Sequence, residues 1–166
     1  VRITGCGRQL PLACRANPKT NYGVDESMSA GRLEGKVAII TGAARGQGAC
    51  EARLFVEEGA QVVLGDILDD EGKAVAEELG DAARYVHLDV RSEADWASAV
   101  EAASGLGALN VLVNNAAITH FASLKDTTLD DYNRVIGINQ VGTFLGMRSV
   151  FDPMRDAGGG SIVNVS

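Results

Sequence analysis

The residues best suited to chemistry form a glycine-rich run, Thr41-Gly42-Ala43-Ala44-Arg45-Gly46-Gln47-Gly48, between an apolar stretch and a helical pattern. Glycines at such a junction permit a tight turn and let the backbone approach a bound group closely. The free N–H groups and the dipole at the start of the following helix favour an anion. The run therefore predicts a loop that binds a diphosphate. The residues predicted to contact this ligand are Gly42, Arg45, Gly46, Gln47 and Gly48.

A carboxylate ends the next apolar stretch. Asp66 stands 18 residues beyond Gly48, at a position from which it can accept hydrogen bonds from the hydroxyls of an adenosine ribose. Its charge would repel the 2′-phosphate of NADP, whereas Arg45 would attract that phosphate. Because Asp66 stands at the ribose position itself, the predicted cofactor is NAD.

Strands and helices alternate along the chain, and this order must position the two features above. Short apolar runs predict the strands Lys36–Thr41, Gln61–Asp66, Arg84–Leu88, Leu109–Asn114 and Ser161–Val165. Amphipathic spacing predicts helices over 47–58, 69–79, 92–104 and 128–156, the last being one long helix or a broken pair. Alternation of this kind implies parallel βαβ units. We therefore predict an α/β fold, a doubly wound parallel sheet of the Rossmann type with strand order 3-2-1-4-5, truncated after strand 5.

The spacing within the glycine run, Thr-Gly, three residues, Gly, one residue and Gly, resembles that of the short-chain dehydrogenase/reductase family. The resemblance covers residues 33–166. It implies an oxidoreductase that transfers a hydride between NAD(H) and a small-molecule secondary alcohol or ketone. It also implies that the full-length protein is a homo-oligomer, either a dimer or a tetramer.

Two further runs support this resemblance. Leu88-Asp89-Val90 ends the third strand, where the family contacts the adenine, so the resemblance places Asp89 and Val90 in the cofactor site. Asn114-Asn115-Ala116-Ala117 resembles the family's Asn-Asn-Ala-Gly, which implies that Asn115 and Ala116 line the cofactor. Alanine stands at the fourth position of that motif, where glycine is usual.

Asn139 matches the asparagine of the family's catalytic Asn-Ser-Tyr-Lys tetrad. The resemblance implies that its main-chain group holds a water molecule in a proton relay. An asparagine inside a helix is also a poor helix former and often marks a break. Asn139 is therefore both the predicted catalytic residue of this chain and the predicted interruption of the long helix.

The rest of the tetrad is missing from the sequence. The family's base is the tyrosine of Tyr-x-x-x-Lys, but the residues four positions after Tyr22, Tyr85 and Tyr132 are glutamate, aspartate and isoleucine. Ser166 matches the neighbour of the catalytic serine, and not that serine itself. We therefore expect a fragment of a longer gene product, without dehydrogenase activity of its own.

Three readings of function stay open at this stage. Gly65–Asp69 and Arg84–Val90 look like bacterial 3-alpha (or 20-beta) hydroxysteroid dehydrogenases, but these stretches lie on the cofactor side and leave the substrate open. A methyltransferase that uses S-adenosylmethionine also has a glycine loop and an acid after strand two, although Asn114-Asn115-Ala116 and the loop spacing count against it. A non-catalytic nucleotide-binding module is the third reading.

Composition excludes several other classes of function. The net charge of −7 argues against a nucleic-acid partner, because phosphate binding needs a basic surface. No apolar run of about 18 residues is present, so no membrane-spanning segment is predicted. An odd number of cysteines, three, fits a reducing, cytoplasmic compartment. Neither His87 nor His120 has partners at metal-binding spacing, so no metal site is predicted, and His87 is expected to pack within its strand.

The first 27 residues differ from the rest of the chain. They begin with Val1, carry scattered Arg and Lys, and show no clear period of 2 or 3.6. We expect residues 1–27 to be a disordered or non-native extension, with the native start at Met28. Residues 28–166 would then form one incomplete NAD(P)-binding Rossmann domain.

Overall fold

A five-stranded parallel sheet forms the centre of the protein, in a computed structural model that describes residues 31–166. The strands are β1 (Val37–Thr41), β2 (Gln61–Asp66), β3 (Ala83–His87), β4 (Leu109–Asn114) and β5 (Ser161–Asn164). Their order is β3-β2-β1-β4-β5, and every neighbouring pair is parallel. The predicted α/β fold and strand order are confirmed. The expected extension over 1–27 and the expected start at Met28 lie outside the described residues.

Helices cover the sheet on both faces. They are α1 (Gly46–Glu57), α2 (Asp69–Leu79), α3 (Glu93–Ser104), α4 (Leu129–Ile136) and α5 (Thr143–Asp156), with a 3-10 turn at Gly80–Ala82. Side chains fix where two of them begin. Ser92 accepts a hydrogen bond from the backbone N–H of Asp95, and Thr128 forms a reciprocal capping box with Asp131.

The long helix predicted over 128–156 is interrupted at the expected place. A π-helical turn, Gly137–Gly142, joins α4 to α5, and Asn139 lies within it. The interruption widens one turn and does not separate two helices, since the residues on either side keep helical backbone angles. Such widened turns are rare and occur frequently at functional sites.

Alternate residues of the central strands supply two apolar clusters, one on each face of the sheet. Ile39 packs with Trp96 and Leu112 on one face, while Ile40 packs with Leu64 and Val75 on the other. All five residues of β1 are buried, as expected for a parallel strand covered by helices on both sides. The core therefore lies directly beneath the point where β1 passes into the glycine loop.

Three sequence expectations concern the molecule as a whole. No helix of residues 31–166 is long and apolar enough to cross a membrane. The same residues hold no group of three His, Cys, Asp or Glu side chains arranged for a metal ion. Cys50 is half-buried on α1, and the expected cytoplasmic compartment stays a prediction.

Candidate functional site

A cleft of about 380 Å³ opens at the carboxyl ends of strands β1 to β4. Ligands bind at this edge in open α/β sheets, near the point where the strand order reverses. Eight of the ten predicted cofactor residues line the cleft; Gln47 and Gly48 do not. The side chain of Gln47 instead donates a hydrogen bond along α1 to Glu51, at 2.9 Å.

The three glycines of the loop are needed for different reasons. Gly42 and Gly46 have φ angles of +67° and +58°, in the left-handed region that side chains disfavour. Gly48 has no such angle, but a Cβ there would overlap the carbonyl oxygen of Gly42 and come within 2.7 Å of Asn115 Nδ2. Gly48 thus lets α1 pack directly under the loop, which explains why it lies behind the cleft and not in its lining.

Arg45 ends the loop at the rim of the cleft. It precedes α1 with extended backbone angles and does not cap the helix with its side chain. The first N–H groups of an α-helix have no partner within the helix. The N-terminus of α1 therefore offers free donors and a positive dipole beside the exposed Arg45 side chain, which suits a diphosphate.

Asp66 is anchored between the glycine loop and the turn that follows β2. Its Oδ2 accepts from the backbone N–H of Ala44 at 3.0 Å, and its Oδ1 accepts from that of Leu68 at 3.1 Å. A carboxylate has about four acceptor sites, so each oxygen keeps capacity for a further donor. Asp66 lines the cleft and can therefore accept the hydroxyls of a ribose without losing its anchors.

Asp89 carries a partner that sequence reasoning missed. Arg91 donates to its carboxylate through Nε at 2.9 Å and Nη2 at 2.6 Å, and its backbone N–H donates to the same group at 3.0 Å. The guanidinium holds the pKa of Asp89 below its ordinary value. Asp89 and Arg91 both line the cleft, so this end of it presents a neutralised pair and not a bare carboxylate.

The hydroxyl of Thr41 organises the asparagine motif. Thr41 is 1% exposed, and its Oγ1 accepts from the backbone N–H groups of Asn115 and Ala116, each at 3.0 Å. The Asn115 amide donates in turn to the carbonyl of Thr41 at 2.9 Å. The ends of β1 and β4 are thereby tied together, which places Asn115 and Ala116 against the glycine loop.

Ala117 occupies the fourth position of the asparagine motif, where the similar Asn-Asn-Ala-Gly motif has glycine. It is exposed and lines the cleft beside Asn115 and Ala116. No described residue other than glycine has a positive φ, so the backbone at Ala117 does not require glycine.

Asn139 is not part of the cleft lining, but it holds a residue that is. Its Oδ1 accepts from the backbone N–H of Ile118, and its Nδ2 donates to the carbonyl of Ile118, both at 2.9 Å. Its own main-chain carbonyl accepts from Thr143 Oγ1 at 2.8 Å. This carbonyl is the group that the resemblance assigns to a water molecule.

A polar network lies behind Asp66, at the end of β3. The hydroxyl of Tyr85 lies 2.7 Å from the Asp66 carbonyl and 2.6 Å from Asp69 Oδ1, and His87 Nδ1 lies 2.7 Å from the same carboxylate oxygen. The expectation that His87 packs within its strand is wrong, because its side chain is more than half exposed.

The charges of this network shift one another. The hydrogen bonds from Tyr85 and His87 lower the pKa of Asp69. The hydrogen bond to Asp69 raises the pKa of His87. Burial, followed by the bond to Asp69, raises the pKa of Tyr85 above its ordinary value. Tyr85 thus stays a neutral donor that ties α2 to the strand carrying Asp66.

A protein-family model described as short chain dehydrogenase matches residues 36–166. The chain is 56% identical over 137 residues to a 3-alpha-(or 20-beta)-hydroxysteroid dehydrogenase of Mycobacterium tuberculosis, covering 82% of this chain and 53% of that protein. It is 45% identical over 145 residues to a trans-4-hydroxycyclohexanecarboxylate dehydrogenase of Sinomonas cyclohexanicum, covering 81% and 56% of the two chains.

A crystal structure of a 3-ketoacyl-(acyl-carrier-protein) reductase from Brucella melitensis, complexed with NADH, is similar in fold. Its TM-score is 0.78 at 39% identity, and the match covers 81% of this chain and 57% of that one. The chain spans about half the length of the curated relatives it matches.

Proposed function

This chain belongs to the short chain dehydrogenase family, and on that premise we propose that it is the NAD-binding part of an oxidoreductase acting on a secondary alcohol or ketone. The observation that carries the proposal is the anchoring of Asp66 beside the glycine loop, within the cleft. Residues 28–166 are the proposed domain. The proposed compartment is the cytoplasm, and the proposed full-length assembly is a homo-oligomer.

The residues present fit a dinucleotide. A Cβ at Gly42 would lie 2.9 Å from the Cα of Ala116, so only glycine lets the loop lie this close to Asn115 and Ala116, beside the open cleft of about 380 Å³. We infer that Gly42, Arg45 and Gly46 face the diphosphate, that Asp66 accepts the ribose hydroxyls, and that Asp89 and Val90 border the adenine. Gln47 and Gly48 support the loop from α1. The bound nicotinamide would supply the hydride; the chain binds and orients it.

Asn115 and Ala116 belong to the other wall of the cleft, and Asn139 supports that wall from outside the lining. Asn115 and Ala116 are held by Thr41, and Asn139 holds Ile118. The role proposed for Asn139 is to keep its main-chain carbonyl available to a water molecule. The chain has no Tyr-x-x-x-Lys, so we propose that it binds the cofactor without turning over substrate by itself.

The substrate proposal follows from the relatives. The mycobacterial relative is named for a hydroxysteroid and the Sinomonas relative for a hydroxylated ring carboxylate, and both names describe cyclic secondary alcohols. A cyclic secondary alcohol, such as a hydroxysteroid, is therefore the substrate class proposed for the full-length protein. No part of the proposal involves a nucleic acid or a membrane.

A non-catalytic nucleotide-binding module is the second candidate. It is favoured by one observation, the missing tyrosine and lysine. Both candidates place NAD in the same cleft and differ in whether a complete polypeptide transfers a hydride. The methyltransferase reading is set aside because the family match covers residues 36–166.

The cofactor proposal is tested by titrating the chain with NADH and with NADPH and following nucleotide fluorescence. A carboxylate at the ribose position costs NADPH a like-charge contact, so we expect NADH to bind at least about tenfold more tightly. Asp66→Ser should remove this preference. Asp70→Ser is the matched control, since Asp70 is exposed outside the cleft lining and the charge change is identical. An equal affinity for both nucleotides in the unmodified chain would contradict the proposal.

A further inference from the structure

The π-helical turn begins and ends with glycine, and both glycines face the same loop. Gly137 and Gly142 lie over Arg91 and Val90, the two residues that follow Asp89 after β3. The turn therefore rests on the segment that forms one end of the cleft. Neither glycine has a positive φ, so any need for glycine there comes from space and not from backbone conformation.

The two glycines differ in how closely they approach that segment. A Cβ on Gly142 would lie 2.5 Å from Val90 Cγ2 and 2.9 Å from Val90 Cβ, closer than side-chain atoms pack. A Cβ on Gly137 would lie 3.4 Å from Arg91 Cδ, in ordinary contact with a flexible side chain. Only the Gly142 contact therefore depends on the absence of a side chain.

Val90 is held in place by a hydrogen bond from the hydrophobic core. Its carbonyl accepts from the indole Nε1 of Trp96 at 2.9 Å, and Trp96 is fully buried in the core. Val90 itself is buried and lines the cleft. A packed core transmits displacements with little loss, so Val90 is a rigid support for whatever rests on it.

The opposite side of the π turn holds the other wall of the cleft. Asn139 lies between the two glycines, and its side-chain amide makes both of its hydrogen bonds to the backbone of Ile118. Ile118 lines the cleft together with Ala116 and Ala117. One short turn thus contacts the wall that contains Val90 and the wall that contains Ile118.

We propose that Val90 and Gly142 are positioning residues. Their contact fixes the position of the π turn, so that Asn139 holds the backbone of Ile118 in its place in the lining of the cofactor cleft. The two walls then keep a fixed separation, which a rigidly bound dinucleotide requires. The proposal rests on the proposed function, because Asn139 and the cleft are the parts being positioned. It makes Gly142 a residue of the site although it lies outside the cleft lining.

Hydrogen exchange of single backbone amides tests this in the intact chain without any substrate. The reporter is the Ile118 amide, which donates to Asn139; the reference is the Leu64 amide in the centre of the sheet. Asn139→Ala gives the Ile118 exchange rate expected when both hydrogen bonds from Asn139 to Ile118 are lost. In Gly142→Ala we expect Ile118 exchange to accelerate by at least about tenfold relative to Leu64. In Gly137→Ala, the matched control, the ratio should stay within about twofold of the unmodified chain.

The outcomes separate positioning from general destabilisation. Equal acceleration at Ile118 and Leu64 in Gly142→Ala would overturn the proposal, as would an unchanged Ile118 rate. If Gly142→Ala does not fold, Val90→Ala tests the same contact, because it only removes atoms. It too should accelerate Ile118 relative to Leu64, and failure to do so overturns the proposal. Failure of the chain to bind NADH would refute the proposed function. It would not change the exchange result, which tests the contact between Val90 and Gly142 without any nucleotide.

Discussion

Strands β1 and β5 are both short and parallel to their neighbours, yet β1 is buried along its whole length and β5 is exposed along its whole length. β1 lies between β2 and β4 with helices on both faces, whereas β5 pairs only with β4 among the described strands. The glycine loop leaves the buried strand. Val165 and Ser166 follow the exposed strand.

The difference shows that the candidate cofactor site lies on the more heavily packed part of residues 31–166. The loop, Asp66 and the Thr41 hydrogen bonds all rest on the two-sided core around β1. The region around β5 has few such supports among residues 31–166. We therefore expect substitutions near β1 to be costly for stability or binding, and matched substitutions near β5 to be mild.

The largest difference should come from one substitution made in both strands. Ile39 is 0% exposed and Ile162 is 38% exposed. Ile39→Ala should lower the free energy of unfolding by about 3 kcal/mol, because it leaves a cavity in a packed core. Ile162→Ala should cost less than about 1 kcal/mol. Urea denaturation followed by circular dichroism measures both free energies of unfolding. Comparable losses in the two variants would show that β1 is not more tightly packed than β5.

Removing the Thr41 hydroxyl should have the next largest effect. Thr41→Val deprives the N–H groups of Asn115 and Ala116 of their acceptor, and we expect a loss of about 2 kcal/mol in the free energy of unfolding. Thr41→Ser keeps the oxygen and should lose about 1 kcal/mol or less. If valine and serine are equally tolerated in thermal unfolding, the hydroxyl does not hold β1 and β4 together.

Gly48 of the glycine loop has a matched control for nucleotide binding in a glycine outside the loop. Gly48→Ala places a methyl group against the Gly42 carbonyl and Asn115, so we expect about 1–2 kcal/mol of destabilisation and NADH affinity reduced about tenfold. Gly80→Ala, after α2 and outside the cleft lining, meets no atom within 4 Å and carries only the cost of a positive φ, about 1 kcal/mol. Fluorescence titration should therefore show weaker NADH binding for Gly48→Ala than for Gly80→Ala, and equal affinities would show that Gly48 does not support the cofactor site.

The smallest effect should depend on pH and involves His87. The pKa of His87 is raised from 6.5 by Asp69, so the pair stabilises the fold fully below pH 6.5. That stabilisation is lost as the pH rises through the higher folded-state pKa. The pKa of Asp69 is lowered from 3.8, so this carboxylate stays charged throughout that range.

The stability difference between the unmodified chain and His87→Gln should accordingly shrink as the pH rises from below 6.5 through the raised folded-state pKa of His87. Melting temperatures at a series of pH values measure this difference. Because His87 and Asp69 are about half exposed, solvent screens the pair and the change should be small. A difference that grows with pH would show that the histidine is not stabilised in its charged form.

The sequence predicts this fold well because its strongest signals are local. Apolar runs, turn glycines and amphipathic spacing repeat with the βα period, and the break at Asn139 followed from its poor helix propensity. Asp66 could be placed from its spacing to the glycine loop. These features each lie within a few tens of residues, where composition and spacing carry the information.

The features that were missed join distant parts of the chain. Thr41 bonds to residues 74 and 75 positions away, and Asn139 bonds to a residue 21 positions away. Arg91 lies next to Asp89 in sequence but shows no pattern that distinguishes it from a surface arginine. Such contacts depend on how the strands are ordered in the sheet, so they become visible only after the elements are assembled.

Whether the chain binds the cofactor without catalysing the reaction can be decided by assaying NADH binding and dehydrogenase turnover on the same sample of folded chain. The turnover assay uses a panel of cyclic secondary alcohols that includes a hydroxysteroid. We expect saturable binding of NADH, tighter than that of NADPH, with no reduction of NAD⁺ by any alcohol. Turnover by this chain would show that the chemistry does not require the missing tyrosine and lysine. A folded chain that binds no NADH would show that the cleft beside Asp66 is not a cofactor site.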